Sequence, residues 1–186
     1  MSPIRNPRAL VAMLALAMGV GLVGRDAQAA GQEAHVHGRA SLQLAGEGAM
    51  LEVVLESPAV NIVGFEHQPR NDTQRERVAQ AAARFRAEPL VRLLDAEGCF
   101  VKHASVASGL VQANQGDHDH EEGHASFEVI QRLECDGGSL SGPVQATVME
   151  AFEGIEQLQV EWLSEGGQGA ATLTRQQMTF RIDWPE

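Results

Sequence analysis

Residues 35–44 read HVHGRASLQL, and residues 51–56 read LEVVLE. Small or apolar residues alternate with polar ones along the first stretch, which is the pattern of an extended strand with one buried face. Gly46, Glu47 and Gly48 supply a turn into the second stretch, so the two predict a β-hairpin. His35 and His37 then fall together on the polar face of the first strand.

One helix is predicted after this hairpin. Residues 71–73 offer three candidate N-caps, and Glu76 follows Thr73 at the spacing of a capping box. Pro89 ends the helix, because the residue before a proline disfavours the helical conformation. The predicted apolar face consists of Val78, Ala81, Ala82 and Phe85.

The rest of the chain contains short extended segments separated by glycine-rich turns, at residues 90–94, 99–110, 124–135, 144–152, 158–163 and 178–184. High strand content with one helix predicts an α+β, β-rich fold. We expect a single, sandwich-like domain of mostly antiparallel strands, with one amphipathic helix. A polar linker, residues 112–123, lies between the strands predicted at residues 99–110 and 124–135.

The N-terminus has the features of an export signal. Arg5 and Arg8 precede an apolar run at residues 9–23, and Ala27, Gln28 and Ala29 form a small-x-small cleavage site. The run is shorter than the roughly 20 residues that span a bilayer. We therefore expect a signal peptide at residues 1–29, a domain at residues 30–186, and a soluble exported product without stable membrane insertion.

The mature protein expected after cleavage is strongly acidic. The whole chain carries a formal charge of −11, and loss of three arginines and one aspartate with the signal would make it −13. Such a field repels nucleic acid and anionic lipid and attracts cations.

Residues 117–124 read DHDHEEGH and place three imidazoles and four carboxylates in eight positions. Imidazole nitrogen and carboxylate oxygen are ligands suited to Zn²⁺. The alternative is a solvated acidic loop whose histidines have no role. If the first strand and the strand predicted at residues 124–135 lie close together, His35, His37 and His124 form part of a metal site. Residues of the loop then complete that site. The candidate metal ligands are His35, His37, His118, His120, His124, Asp119 and Glu122.

Two cysteines, Cys99 and Cys135, lie on either side of this loop. In an exported chain such a pair predicts a structural disulfide, which would clamp the stems of the loop. Closing this loop contributes roughly 3.5–4 kcal/mol in the chain-entropy model. A reduced pair that joins the histidines as metal ligands is the alternative.

No HExxH, GxSxG, P-loop or dinucleotide-binding motif occurs. We expect no enzyme activity and no catalytic residues. Two alternatives to a zinc carrier remain open: a zinc-dependent hydrolase, in which an open metal position activates water, and an interaction module of the cell envelope with an incidental His loop.

Four blocks together carry a family resemblance: AHVHG at residues 34–38, LEVVLESPAVNIVGFEH at 51–67, EGHASFE at 122–128 and GIEQLQVEWLSEGGQGA at 154–170. On these the chain resembles the periplasmic zinc-binding proteins of the ZrgA type. The resemblance implies a periplasmic accessory protein that captures zinc and assists its uptake, alongside the solute-binding component of a zinc ABC importer. The linker here has only three histidines, fewer than is usual in the family, which favours one well-formed site, or one plus a weak one, over a reservoir.

Overall fold

The computed structural model describes residues 36–96, 98–111, 125–135, 140–164 and 167–183. All of them belong to one unit, Ala34–Glu186. The expected signal peptide lies outside the described residues, so the boundary after Ala29 stays a prediction.

The predicted hairpin is confirmed. Strand β1, Arg39–Glu47, pairs antiparallel with β2, Met50–Pro58, and Glu47 stands opposite Met50 at the turn. Ala40, Leu42 and Leu44 are buried on one face, because successive side chains of a strand point to opposite sides of the sheet.

The predicted start of the first strand is wrong. His37 and Gly38 form a turn, and the strand begins only at Arg39. Gly38 has a φ of 80°, a left-handed conformation that glycine adopts without a steric penalty. The Arg39 N–H donates to the carbonyl of Val36 at 3.1 Å and closes the turn. His37 is therefore not one of two histidines on a strand face.

The large sheet has six strands. Besides β1 and β2 it contains β4 (Cys99–Ser108), β5 (Ser126–Cys135), β7 (Gln157–Ser164) and β8 (Gly167–Thr174), in the order β4-β5-β2-β1-β7-β8. Strands β1 and β7 run parallel, and the other neighbours run antiparallel.

The main helix covers the inner face of this sheet. Helix α2, Asp72–Ala87, has Asn71 as its N-cap and ends before Pro89, and its buried residues are the four that the sequence predicts. Phe85 of α2 lies 5.7 Å from Phe127 of β5, ring centre to ring centre. The apolar face of α2 thus closes one side of the core.

A second sheet covers the rest of the inner face. It consists of β3 (Arg92–Leu93), β6 (Gly142–Gln145) and β9 (Thr179–Ile182), in the order β3-β6-β9. The Phe180 ring lies 5.5 Å from that of Trp162 on β7, which joins the two sheets. The predicted β-rich α+β, sandwich-like fold is confirmed.

Three local predictions differ from the structure. Residues 144–152, expected as a strand, divide into β6 and the short helix α3, Thr147–Ala151. A further short helix, α1 at Ala59–Val63, follows β2 directly, so α2 is not the only helix. Strand β8 has no predicted counterpart.

Candidate functional site

The described residues bring one histidine and one carboxylate together beside the start of β1. Nε2 of His37 lies 3.6 Å from Oε2 of Glu66. The His37 side chain is 67% exposed, whereas that of Glu66 is 12% exposed. The pair therefore combines a carboxylate held inside the protein with an imidazole that an ion in solution can reach.

Helix α1 and the segment after it carry Glu66 to this position. The helix ends at Gly64, whose φ of 86° reverses the chain. Phe65 then turns into the core, and Glu66 follows it. His67 stacks on Phe65 with ring centres 5.2 Å apart, and its Nδ1 lies 2.8 Å from the Gln68 carbonyl. His67 thus helps to fix this segment.

Residues 64–68 also contact both flanks of the predicted His loop. The Ala125 N–H donates to the Glu66 carbonyl at 3.4 Å, and the Ala125 carbonyl accepts from Ala59 at 2.8 Å. On the other flank, Nε2 of Gln68 donates to the Gly109 carbonyl at 3.2 Å. The chain therefore leaves β4 and enters β5 beside Glu66.

The separation of the pair suits a shared cation. Two ligand atoms of a tetrahedral zinc ion, each about 2.0–2.1 Å from the metal, lie roughly 3.3 Å apart. The observed 3.6 Å between Nε2 and Oε2 is close to that value. The pair can thus supply two of four ligands after a shift of a few tenths of an ångström.

Of the predicted metal ligands, the structure describes only His37. The other six, His35, His118, His120, His124, Asp119 and Glu122, lie outside the described residues. Within the described part of the chain, no three His, Cys, Asp or Glu side chains converge on a metal position. The structure therefore brings together two candidate ligands, His37 and Glu66, of the four that a zinc ion takes. The predicted ligand set as a whole stays untested.

Glu66 is the residue that the sequence analysis missed as a site candidate. It belongs to no metal motif, and it shares no periodic pattern with His37. A signal was available in the block at residues 51–67, where Phe-Glu-His follows a glycine. This sequence indicates a site only once the fold is known, because the fold places Glu66 beside His37.

The predicted disulfide is confirmed, but it does not clamp the stems of the loop. Cys99 and Cys135 are bonded, with Cα atoms 4.0 Å apart, and they face each other across β4 and β5. At the other end of the same strand pair, Ser108 faces Phe127. Eight residues of β5 separate the two ends by about 27 Å, at roughly 3.4 Å per residue. The thiols are therefore neither free nor near the His37–Glu66 pair.

A cleft of about 320 Å³ lies between the end of α2 and α3. Arg84 and Glu88 form an ion pair at its edge, and Arg84 also donates to the carbonyl of Ala151. Its lining contains no histidine or cysteine. Its two carboxylates are already engaged, Glu88 with Arg84 and Glu150 with Gln145, so the cleft does not favour the hydrolase alternative.

With the fold and the pair established, the class of the protein follows from comparison with known families. Residues 34–182 match the family model described as ZrgA family zinc uptake protein. The match covers well over half of the chain, and the chain belongs to this family. A comparison with curated proteins found no significant match.

The description of the family supports a role in zinc uptake for this chain. None of the helices in the described ranges has the length and apolar character needed to cross a bilayer.

Proposed function

We propose that this protein captures Zn²⁺ in the periplasm and passes it to the uptake machinery as an accessory protein. The observation that carries the proposal is the His37–Glu66 pair, 3.6 Å apart, in a chain of the zinc uptake family. His37 and Glu66 hold the ion from the folded domain. Histidines of the loop complete its shell.

Chain connectivity supports the loop ligands. His124 directly precedes Ala125 in the sequence, and the backbone of Ala125 is hydrogen-bonded to both Ala59 and Glu66. His35 is likewise two residues before His37. His118 and His120, with Asp119 or Glu122, are the remaining candidates for a four-coordinate site.

The charge of the protein supports capture of a cation. The formal charge of −11 before removal of any leader produces a field that concentrates divalent cations near the surface. The handover partner that we propose is the solute-binding component of a zinc ABC importer. An exposed His37 lets such a partner reach the ion without unfolding of the domain.

Competition titration tests the proposed ligands. Protein purified from the periplasm is titrated with Zn²⁺ against a chelator of known affinity, as wild type and as three variants: His37→Ala, the triple change of His118, His120 and His124 to Ala, and His103→Ala. His103 is exposed on β4 and serves as the matched control.

Loss of a metal-orienting partner weakens metal affinity about 10–100-fold, and loss of a ligand should cost at least as much. We expect His37→Ala and the loop variant each to weaken binding at least tenfold, and His103→Ala to leave it within twofold. Equal affinity in all four proteins would contradict the proposed site.

Growth tests the role in uptake. A strain that lacks this protein should grow more slowly than its parent when zinc is limiting, and equally well when zinc is added. The wild-type gene should restore growth, whereas His37→Ala should not. Restoration by His37→Ala would show that uptake does not depend on this ligand.

A further inference from the structure

The His37 turn rests on a buried amide. Asn61, in the middle of α1, is 5% exposed. Its Oδ1 accepts from the N–H of Gly38 at 2.8 Å, and its Nδ2 donates to the carbonyl of Arg39 at 2.8 Å. The N–H that it accepts from belongs to the peptide group that joins His37 to Gly38.

Ser57 and Gly154 also hold Asn61 in place. Its Nδ2 also donates to Oγ of Ser57, at 3.2 Å, and Ser57 is 2% exposed. Gly154 packs so closely on α1 that a Cβ there would lie 2.4 Å from the Asn61 carbonyl oxygen. The side chain is therefore held in one place by contacts on several sides.

Asn61 also lies on the path to Glu66. Helix α1 runs from Ala59 to Val63, and Glu66 follows three residues later. One side chain thus bonds the backbone beside His37 while its own helix leads into the segment that carries Glu66. Buried polar groups cost free energy unless they are bonded, so Asn61 needs both the Gly38 and the Arg39 backbone groups.

We infer that Asn61 is a positioning residue for zinc binding: it sets the distance between His37 and Glu66 without touching the ion. This inference rests on the proposed function, in which His37 and Glu66 hold zinc. Its removal should weaken zinc affinity in a protein that is still folded, by the 10–100-fold typical of groups that orient metal ligands.

The test compares Asn61→Ala with Ser57→Ala. Both changes remove the hydrogen bond between Asn61 and Ser57, but only Asn61→Ala also removes the two bonds to the backbone beside His37. Zinc affinity is measured by chelator competition well below the melting temperature of each variant. We expect at least a tenfold loss for Asn61→Ala and less than a twofold loss for Ser57→Ala.

A second pair of variants tests the turn if Asn61→Ala does not fold. Gly38 and Gly48 flank β1, and both have positive φ. A Cβ at Gly38 would lie 3.1 Å from a carboxylate oxygen of Glu156, whereas a Cβ at Gly48 meets nothing within 4 Å. Gly38→Ala should weaken zinc binding at least fivefold more than Gly48→Ala.

The His37→Ala variant distinguishes a failure of the proposed zinc site from a failure of the positioning role of Asn61. If His37→Ala weakens binding and Asn61→Ala adds nothing to it, the positioning role is supported. If His37→Ala weakens binding but Asn61→Ala and Gly38→Ala match their controls, the inference is wrong and the proposed site stands. If His37→Ala binds zinc like the wild type, the proposed site and the inference both fail.

Discussion

The two ends of the β4–β5 strand pair differ in how they are held. At one end Cys99 and Cys135 join the strands covalently. At the other end no disulfide exists among the described residues, and hydrogen bonds with the backbone of Ala59 and Glu66 and the side chain of Gln68 fix the chain where it leaves and re-enters the sheet. We refer to these as the disulfide end and the loop end.

The comparison separates stability from metal chemistry. The disulfide end restricts the unfolded chain and offers no ligand, because both sulfurs are in the bond. The loop end carries the His37–Glu66 pair and is held by hydrogen bonds that can adjust by tenths of an ångström. Changes at one end should therefore leave the property of the other end intact.

The largest expected effect is on stability, at the disulfide end. Replacing Cys99 and Cys135 together by Ala should lower the free energy of unfolding by roughly 3.5–4 kcal/mol. Urea unfolding of both proteins measures it. Zinc affinity at a temperature where the variant is folded should stay within twofold of wild type, and a large loss of affinity would show that the ends are coupled.

A change between the two ends sharpens the comparison. Gln131 on β5 is fully buried; it accepts from the N–H of Leu90 and donates to the carbonyls of Phe85 and Glu88. Gln131→Leu leaves these three backbone groups without a partner and should cost about 3 kcal/mol in unfolding free energy. Zinc affinity of the folded variant should again be unchanged.

A smaller effect is expected on affinity, at the loop end. Glu66→Gln keeps the shape of the side chain but removes its charge, and it should weaken zinc binding about tenfold. Glu52→Gln is the matched control, because Glu52 also pairs with a nitrogen-bearing side chain, that of Arg132, but on the outer face of the sheet. If both variants lose affinity equally, the loss reflects net charge and not ligation.

The smallest expected effect concerns an ion pair near the disulfide end. Lys102 lies at a bulge in β4 and pairs with Glu134 at 2.6 Å, with the lysine side chain 54% exposed. Exposed ion pairs contribute about 0–1 kcal/mol. Lys102→Ala should therefore change the free energy of unfolding by less than about 1 kcal/mol, as measured by urea unfolding. A larger loss would assign the lysine a role in holding the bulge.

The sequence predicts the elements whose pattern is local. Helix α2 shows a complete apolar face between Asn71 and Pro89, and the β1–β2 hairpin shows alternation on both sides of a glycine turn. Both are confirmed. The disulfide is also predicted correctly, because a chain with two cysteines leaves one pairing.

The errors arise where tertiary contacts override local pattern. Strand β8 is rich in glycine and alanine and so has a weak strand pattern; it pairs with β7 over its whole length, where Gly169 packs directly against the Trp162 ring. Residues 147–151 are predicted as part of a strand but form α3, where the Thr147 hydroxyl donates to the carbonyl of Pro89. Neither contact is visible in the sequence.

The candidate site was predictable only in part. His37 stands out because it lies in an HxH pair, yet its turn conformation depends on Asn61, 24 residues away in the chain. Glu66 has no motif, and its place depends on how α1 folds back beside β1. Ligand type can thus be deduced from residue chemistry, whereas the pairing of ligands depends on the fold.

The most direct test of this account is X-ray absorption at the zinc edge on the zinc-loaded protein and its His37→Ala variant. Zinc held at the loop end should show only nitrogen and oxygen ligands at about 2.0–2.1 Å, with one imidazole fewer in the variant. A sulfur ligand at about 2.3 Å, or an imidazole count that His37→Ala does not change, would contradict the assignment of zinc binding to the loop end.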